Sequence, residues 1–430
     1  MTAMPGARAP APGDLRLIVR DEPLSLAEHA RWYGPLPAPG RPADLIAEIE
    51  RSGLTGRGGA AFPAGRKIRA VAQAPGARSA SGAIVVANGS ESEPASRKDS
   101  VLLSHAPHLV LDGVELCAGA VGASTAYVCV SPQSPGAARA VTQAVAERDH
   151  ARPGGLPVQV LATPDGYLSG QETALISALN GGPPLPTFVP PRPSDRGVRR
   201  RPTLVLNVET LANVALIARF GGGWFRSAGT PGAPGSALVT VTGAVGRPGV
   251  REIPLGTPLG EVLRRSGLSP GSGAVLSGGY FGTWLPLPAA LGVPVSEEGM
   301  HAAGAALGCG VLAVLPGGGC GLAETARITG FLADESAGQC GPCRNGMPAL
   351  ADALHRIAFG RPGQEVIGWA QQLTGLVAGR GACHLPDGAA GLVRSALTVF
   401  AADLRSHAQH GPCPGAARPA ILPVPARRPE

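Results

Sequence analysis

Lysine is nearly missing from this chain. Lys67 and Lys98 are the two lysines among its thirty-seven Lys and Arg residues. A composition so committed to arginine would convert an indifferent lysine, so the compact ammonium is expected to matter at both places. Aromatics are also scarce, at 4%, and none alternates with basic residues, which excludes a base-stacking surface for nucleic acid. No run reaches about 18 uncharged apolar residues, the length a membrane-inserted helix needs. The most apolar stretch, 101–130, is interrupted by His105, His108, Asp112 and Glu115. A basic-then-apolar leader is missing as well, and the expected location is cytoplasmic. There the eight cysteines read as reduced core residues or metal ligands rather than disulfides.

Glycine and proline are abundant, at 63 and 44, yet hydrophobic residues at 44% are too many for a disordered chain. A length of 430 residues suggests two to four domains. The net charge of +7 comes from scattered arginines, with one dense block at Arg199, Arg200 and Arg201. Residues 52–67 are the most informative stretch. Gly53, Gly56, Gly58, Gly59 and Gly65 surround Arg57 and Lys67, directly after the amphipathic run 43–51. Glycines this dense let the backbone approach a ligand and turn consecutive N–H groups toward an anion. A guanidinium and an ammonium in the same loop suit a phosphorylated cofactor.

From about 40 to 215, short β-rich runs alternate with helical patterns. Strands are predicted at 84–86, 126–130, 158–162 and 203–206, and helices at 108–121, 137–148 and 173–179. Such alternation implies βαβ units and a mostly parallel sheet with ligands at the strand C-terminal ends. The proline-dense segment 182–202 reads as an extended surface loop. A second unit begins near Ser236, with a strand, turn, strand over 237–253, a short helix at 259–266 and a strand at 274–279. Helical periodicity then dominates 322–407. Residues 1–25 and 411–430 read as a flexible leader and a flexible tail.

Four segments carry chemistry. Besides 52–67, residues 88–99 place Glu91 and Glu93 in a turn after a strand. Tyr167, Gly170 and Glu172 precede a helical run, and a strand ends at Asn207 with Glu209 and Thr210 following. The fourth segment holds Cys340 and Cys343, with Cys383 forty residues later. A Cys-x2-Cys pair plus a distant cysteine suits iron–sulfur or zinc equally. Cys117 and Cys129 lie on apolar runs as core, Cys309 and Cys320 flank an apolar strand, and Cys413 falls in the tail.

In this order the segments resemble the NADH-binding flavoprotein subunit of respiratory complex I, with related chains in NAD-linked hydrogenases and formate dehydrogenases. The resemblance covers roughly residues 25–400. It implies an α/β Rossmann-like flavin domain at 26–235, a ubiquitin-like β-grasp domain at 236–312 and a C-terminal α-helical iron–sulfur bundle at 313–410. On it, Gly56, Arg57, Gly58, Gly59 and Lys67 line an FMN site, Lys67 beside the phosphate. Asn88, Glu91, Gly170, Val205, Asn207 and Thr210 match further flavin contacts. Phe62, Glu93, Tyr167 and Glu172 match positions that hold the nicotinamide nucleotide, with Glu93 and Glu172 facing one pocket. Cys340, Cys343 and Cys383 match cluster ligands. The implied activity is oxidation of NADH or NADPH through FMN, with electrons passed to an iron–sulfur centre. The implied partner is a ferredoxin or a thioredoxin-like [2Fe–2S] subunit, within a larger oxidoreductase complex.

Departures from the pattern are equally specific. Ala337 stands where the family has its first cluster cysteine. That leaves a [3Fe–4S] cluster, a [4Fe–4S] cluster with a weaker ligand such as Ser336, His384 or water, or an empty site. Ser90 replaces an aspartate, Gln171 a glutamate and Leu206 an asparagine, while Ala70 and Arg192 replace two aromatics that sandwich the adenine. Arg192 could instead bind a 2′-phosphate, favouring NADPH. The rival reading is a paralogue that keeps the fold as a binding or scaffold module without turnover.

Overall fold

The computed structural model describes residues 15–425 apart from 21, 39 and 80. One compact unit comprises the residues up to Ser92, Arg97–Leu238 and Glu252–Gly256; the other comprises Glu93–Ser96, Val239–Arg251 and everything from Thr257 on.

The first unit runs α1 (Leu26–Tyr33), α2 (Pro42–Ser52), α3 (Ala64–Ala72), β1 (Ala83–Gly89), α4 (Lys98–His105), α5 (Pro107–Val121), β2 (Ala123–Val130), α6 (Pro135–Ala151), β3 (Val158–Ala162), α7 (Glu172–Leu179), β4 (Thr203–Asn207) and α8 (Val208–Phe225). Its four strands are all parallel, in the order β3-β2-β1-β4. Ile84, Val85 and Val86 are fully buried, the continuous apolar pattern of a parallel strand covered on both faces. Helix boundaries follow local chemistry. Ser25 and Glu28 form a reciprocal capping box at α1, and Gly53 and Gly122 end α2 and α5 in the left-handed conformation. Gly113 is required for packing: a Cβ there would sit 2.0 Å from the Leu211 carbonyl oxygen, so α5 and α8 cross at backbone contact.

Asp112 on α5 collects a buried ion cluster. It accepts from His29 at 2.7 Å and Arg148 at 2.5 Å, and pairs with Arg219. Burial alone would raise the Asp112 pKa, but the His29 hydrogen bond and the two guanidinium groups hold it well below the usual carboxylate range. His108 Nδ1 accepts from Arg148 Nε at 3.2 Å, so its proton sits on Nε2, facing Glu147 at 3.1 Å. Burial and the Arg148 charge push His108 down to about 4.

The second sheet has five strands in the order β6-β5-β9-β7-β8: β5 (Ser236–Gly243), β6 (Gly249–Pro254), β7 (Ala274–Ser277), β8 (Thr283–Pro286) and β9 (Val311–Leu315). β5 pairs with β9 in parallel, and β7 pairs antiparallel with both β8 and β9. Short helices α9 (Leu259–Arg265) and α10 (Glu297–Ala302) lie between strands, followed by α11 (Gly321–Asp334), α12 (Met347–Phe359), α13 (Gln364–Val377), α14 (Leu385–Val399) and α15 (Ala401–His410). Trp284 on β8 anchors this unit: its Nε1 donates to Thr325 Oγ1 at 2.9 Å and its ring meets Phe400 edge-on at 5.2 Å. Gly321 makes room for Phe400, whose ring atoms would lie 2.0 Å from an added Cβ.

Both ends differ from the sequence expectation where they are described. Residues 1–14 of the expected leader lie outside the described residues, but Arg16 and Leu17 are buried and both donate backbone N–H groups to Glu252. In the expected tail, Ile421 N–H donates to Glu324 at 3.1 Å, Tyr280 O–H donates to the Pro423 carbonyl at 2.7 Å, and Leu422 is buried. Proline density masked the apolar Ile421–Leu422 pair that ties this segment down.

Histidines 29 and 108 both titrate below the ordinary histidine value when folded. The unfolded chain therefore binds protons first as pH falls, and the stability they contribute is full above about pH 6.5 and lost toward about pH 4. The urea midpoint is expected to fall between pH 7.5 and pH 5, and His108→Gln to reduce that fall; equal midpoints at the two pH values would contradict it.

Candidate cofactor-binding site

Strand order reverses at β1, whose neighbours are β2 on one side and β4 on the other. In open α/β sheets ligands bind outside the strand C-terminal ends at such a switch point. Asn88 and Asn207 are register partners across β1 and β4, and Asn207 Nδ2 donates to the Asn88 carbonyl at 3.3 Å, so both side chains stand at this switch point. The glycine-rich loop is seated over the end of β4. Gly56 N–H donates to the Phe62 carbonyl at 2.9 Å, closing the loop. Arg57 N–H donates to Thr210 Oγ1 at 2.9 Å, and a Cβ on Gly58 would stand 3.4 Å from Asn207 Cβ. Among the described residues no protein acceptor meets the amide N–H groups of Gly58, Gly59 and Gly65. The N-terminus of α3 lacks a side-chain cap, so its dipole and free N–H groups also favour an anion.

Lys67, on α3, pairs with Glu172, the first residue of α7, at 2.8 Å. Two residues assigned separately to phosphate and nucleotide are thus neighbours, both partly exposed. Phe62 is 48% exposed, with the Arg66 guanidinium 5.9 Å from its ring centroid. Asn88 Nδ2 donates to the Gly170 carbonyl at 2.8 Å, while its Oδ1 accepts from both the N–H and hydroxyl of Ser90. Ser90, in the place of an aspartate, therefore serves as a turn residue. Tyr167 is largely buried.

Under the crevice lies a buried polar network. Lys98 Nζ reaches Asp99 at 2.7 Å, Glu209 at 2.9 Å and Asn207 Oδ1 at 3.5 Å. Asn207 caps α8 by accepting from Glu209 N–H at 3.0 Å, and its Nδ2 donates to Asp99 at 2.7 Å. Glu209 also accepts Leu238 N–H at 2.9 Å and faces Arg57 Nε at 3.8 Å. Burial opposes the charge on Lys98, but the Asp99 and Glu209 carboxylates more than offset it and keep its pKa above the ordinary lysine value. Burial pushes Asp99 up to about 6. Sequence reasoning singled out Lys98 but missed Asp99, although the two are adjacent.

Three of the expected site residues have other partners within the structure. Glu91 spends both carboxylate oxygens on the N-terminus of α4, accepting from Asp99 N–H at 2.8 Å and Ser100 N–H at 2.9 Å; it is a helix cap. Val205 points into an apolar cluster with Ile84, Val86, Tyr127 and Leu175, so its side chain is core. Glu93 belongs to the other compact unit from Glu172. There its Oε2 accepts Tyr280 N–H at 2.8 Å, and a Cβ on Gly279 would collide with it at 2.6 Å.

The second unit brings the three expected thiols together. Burial pushes the Cys343 thiol up to about 12 and raises Cys383, and the charge of Cys340 adds to both shifts. Cys343 is buried at a π-helical turn, Pro342–Gly346, that leads into α12. His384 is 95% exposed and turned toward Asp387 at 3.3 Å, away from a ligand role.

Comparison with known proteins bears on both sites. Residues 49–216 match the Nuo51 FMN-binding domain, and residues 323–407 match the NADH-ubiquinone oxidoreductase-F iron–sulfur binding region. The F subunit of the Mycobacterium tuberculosis NADH-quinone oxidoreductase is 35% identical over 398 residues, covering 89% of this chain and 88% of that protein. The chain belongs to this F-subunit family. The Streptomyces coelicolor member is 34% identical over 384 residues, covering 87% and 85%. Among solved structures, an NAD+-reducing [NiFe]-hydrogenase in the H2-reduced state matches with a TM-score of 0.79 and 30% identity. That match covers 87% of this chain and 64% of the hydrogenase chain.

Because Lys98 neutralises carboxylates in a buried position, Lys98→Ala leaves Glu209 and Asp99 without it. The variant is expected to lose about 3–5 kcal/mol of unfolding free energy, read by chemical denaturation. A loss under about 1 kcal/mol would show that the network does not carry this end of the sheet.

Proposed function

We propose that this F-subunit family member is an electron-entry flavoprotein that oxidises NADH at an FMN in the first unit and passes electrons to an iron–sulfur centre. The observation that carries the reading is the set of unpartnered Gly58, Gly59 and Gly65 N–H groups beside Lys67 at the sheet's switch point. A phosphate fits this set: amide donors, an uncapped helix N-terminus and one mobile ammonium. Bound there, FMN supplies hydride acceptance and single-electron release. The protein's part is positional. Gly58 admits the ligand close to β4, Asn88 and Asn207 hold the turns around it through their own hydrogen bonds, and Lys67 exchanges Glu172 for the phosphate. Glu172, released by that exchange, is placed to accept a hydrogen bond from a ribose hydroxyl. Phe62 offers an aromatic face to the nicotinamide nucleotide, and Tyr167 completes the proposed nucleotide contacts.

The domain scheme proposed from sequence follows the same logic: flavin and nucleotide at 26–235, a β-grasp domain at 236–312 and a cluster-bearing bundle at 313–410. Among the described residues no helix is long and apolar enough to cross a membrane. A cytoplasmic role within a multi-subunit oxidoreductase, with a [2Fe–2S] protein as docking partner, is part of the proposal.

Protein purified without oxygen is expected to show flavin absorption that bleaches with NADH more readily than with NADPH. Lys67→Ala should weaken flavin binding by about 1.5–3 kcal/mol, roughly 10- to 150-fold in Kd. A colourless parent would favour the scaffold reading, and a Lys67→Ala variant that retains flavin like the parent would overturn the phosphate assignment.

Cys340, Cys343 and Cys383 fit a cluster with three thiolate ligands, and Ala337 leaves one corner to a weaker ligand. Loss of a thiolate charge raises the potential of such a cluster and its lability to oxygen. Anaerobic reconstitution is expected to load about three to four irons per chain, lost in Cys343→Ser, with low-temperature EPR distinguishing [3Fe–4S] from [4Fe–4S]. Fewer than about one iron per chain in the parent would mean an empty site.

A further inference from the structure

We propose that Cys320, His407 and Cys413 form a mononuclear zinc site, separate from the thiols at 340, 343 and 383. Their ligand atoms all lie within 4.8 Å of one another, and Cys320 Sγ is 3.8 Å from His407 Nε2. Sulfur at about 2.3 Å and nitrogen at about 2.05 Å from one tetrahedral zinc stand roughly 3.6 Å apart. The Cys320–His407 pair is thus within a few tenths of an ångström of zinc-bound spacing, and the 4.8 Å bound leaves Cys413 at most about 1 Å to close.

The histidine is already oriented for the task. His407 is fully buried, and its Nδ1 lies 3.1 Å from the Ile357 carbonyl oxygen. A carbonyl only accepts, so Nδ1 carries the hydrogen and Nε2 presents its lone pair to the thiols. Metal-bound histidines are commonly fixed in this way. In the metal-free chain that lone pair accepts the Cys413 N–H at 3.1 Å, the bond that zinc would replace. Cys320 is the N-cap of α11, with its Sγ accepting Ala323 N–H at 3.4 Å.

Charge selects the metal. Zn2+ displaces the two thiol protons to solvent, and with two thiolates and a neutral imidazole the site is neutral overall, as burial requires. Cu+ on the same ligands would leave a buried net charge of −1. Among the described residues no further His, Cys, Asp or Glu joins the group, so solvent supplies the fourth ligand beside the half-buried Cys413. Helix α11 has 14 residues, about 21 Å long. Cys320 precedes its start and Cys340 follows its end, so the two thiol sets occupy opposite ends of the helix.

The test uses the full chain with Cys340→Ser, Cys343→Ser and Cys383→Ser, offered zinc alone. About one zinc per chain is expected, and cobalt should give thiolate charge-transfer and tetrahedral d–d bands. Adding Cys413→Ser, at a half-buried position chosen to spare folding, should weaken zinc at least about 100-fold with unchanged circular dichroism. The assignment is overturned by zinc at background in the triple variant, or by affinity unchanged in Cys413→Ser. Recovery of a Cys320–Cys413 disulfide from cells lysed into a thiol-blocking reagent would overturn it equally.

Discussion

One buried ammonium organises the ligand-facing end of the first sheet. Lys98 sits among Asp99, Glu209 and Asn207, and these residues belong to the start of α4, the start of α8 and the end of β4. A strand end and two helix starts are where unsatisfied backbone donors gather. Here side chains already tied to the same cation meet that demand. Arg57 approaches Glu209 from above and fixes the glycine loop through Thr210. The loop's geometry is thus inherited from the ion beneath it. The three oxygens lie around a point charge rather than along a plane, which is why a planar guanidinium would not substitute.

The second unit solves a different problem. Its sheet and helices meet through large buried aromatics, Trp284 and Phe400, and its clustered thiols gather at helix starts. Gly321 and Gly388 yield space to Phe400 and Phe281, whose ring atoms would otherwise be 2.0 Å and 2.3 Å from a Cβ. Thiols at the start of α11 and at the start of α12 then need no space in that apolar interior.

Much of this was legible from residues alone, for identifiable reasons. β3 was read at 158–162 as observed, because an apolar run between turn signals has one reading. α5 and α6 were recognised through their period, α5 short by one residue at its start and α6 by two and three at its ends. α8 was not read as a helix. Its residues from Val208 to Arg219 are buried all round, so no amphipathic stripe marks it. In the site, glycine density and lysine scarcity pointed to residues 52–67. The helix-capping duty of Glu91 was hidden, since a carboxylate in a turn reads the same whether it faces a ligand or a backbone. His407 carried no signal, because its two cysteine neighbours are 87 and 6 positions away.

The short segment Glu93–Ser96 packs with the second unit although the chain before and after it builds the first. During translation it leaves the ribosome long before the turn between β7 and β8 that bonds to it. Tyr280, whose N–H is bonded to Glu93, is made later, and the segment around Pro423 that takes the Tyr280 hydroxyl is made last of all. Domains usually fold in order of synthesis. A nascent chain stalled before residue 420 would therefore carry the strands of both sheets but lack the Pro423 carbonyl that takes the Tyr280 hydroxyl.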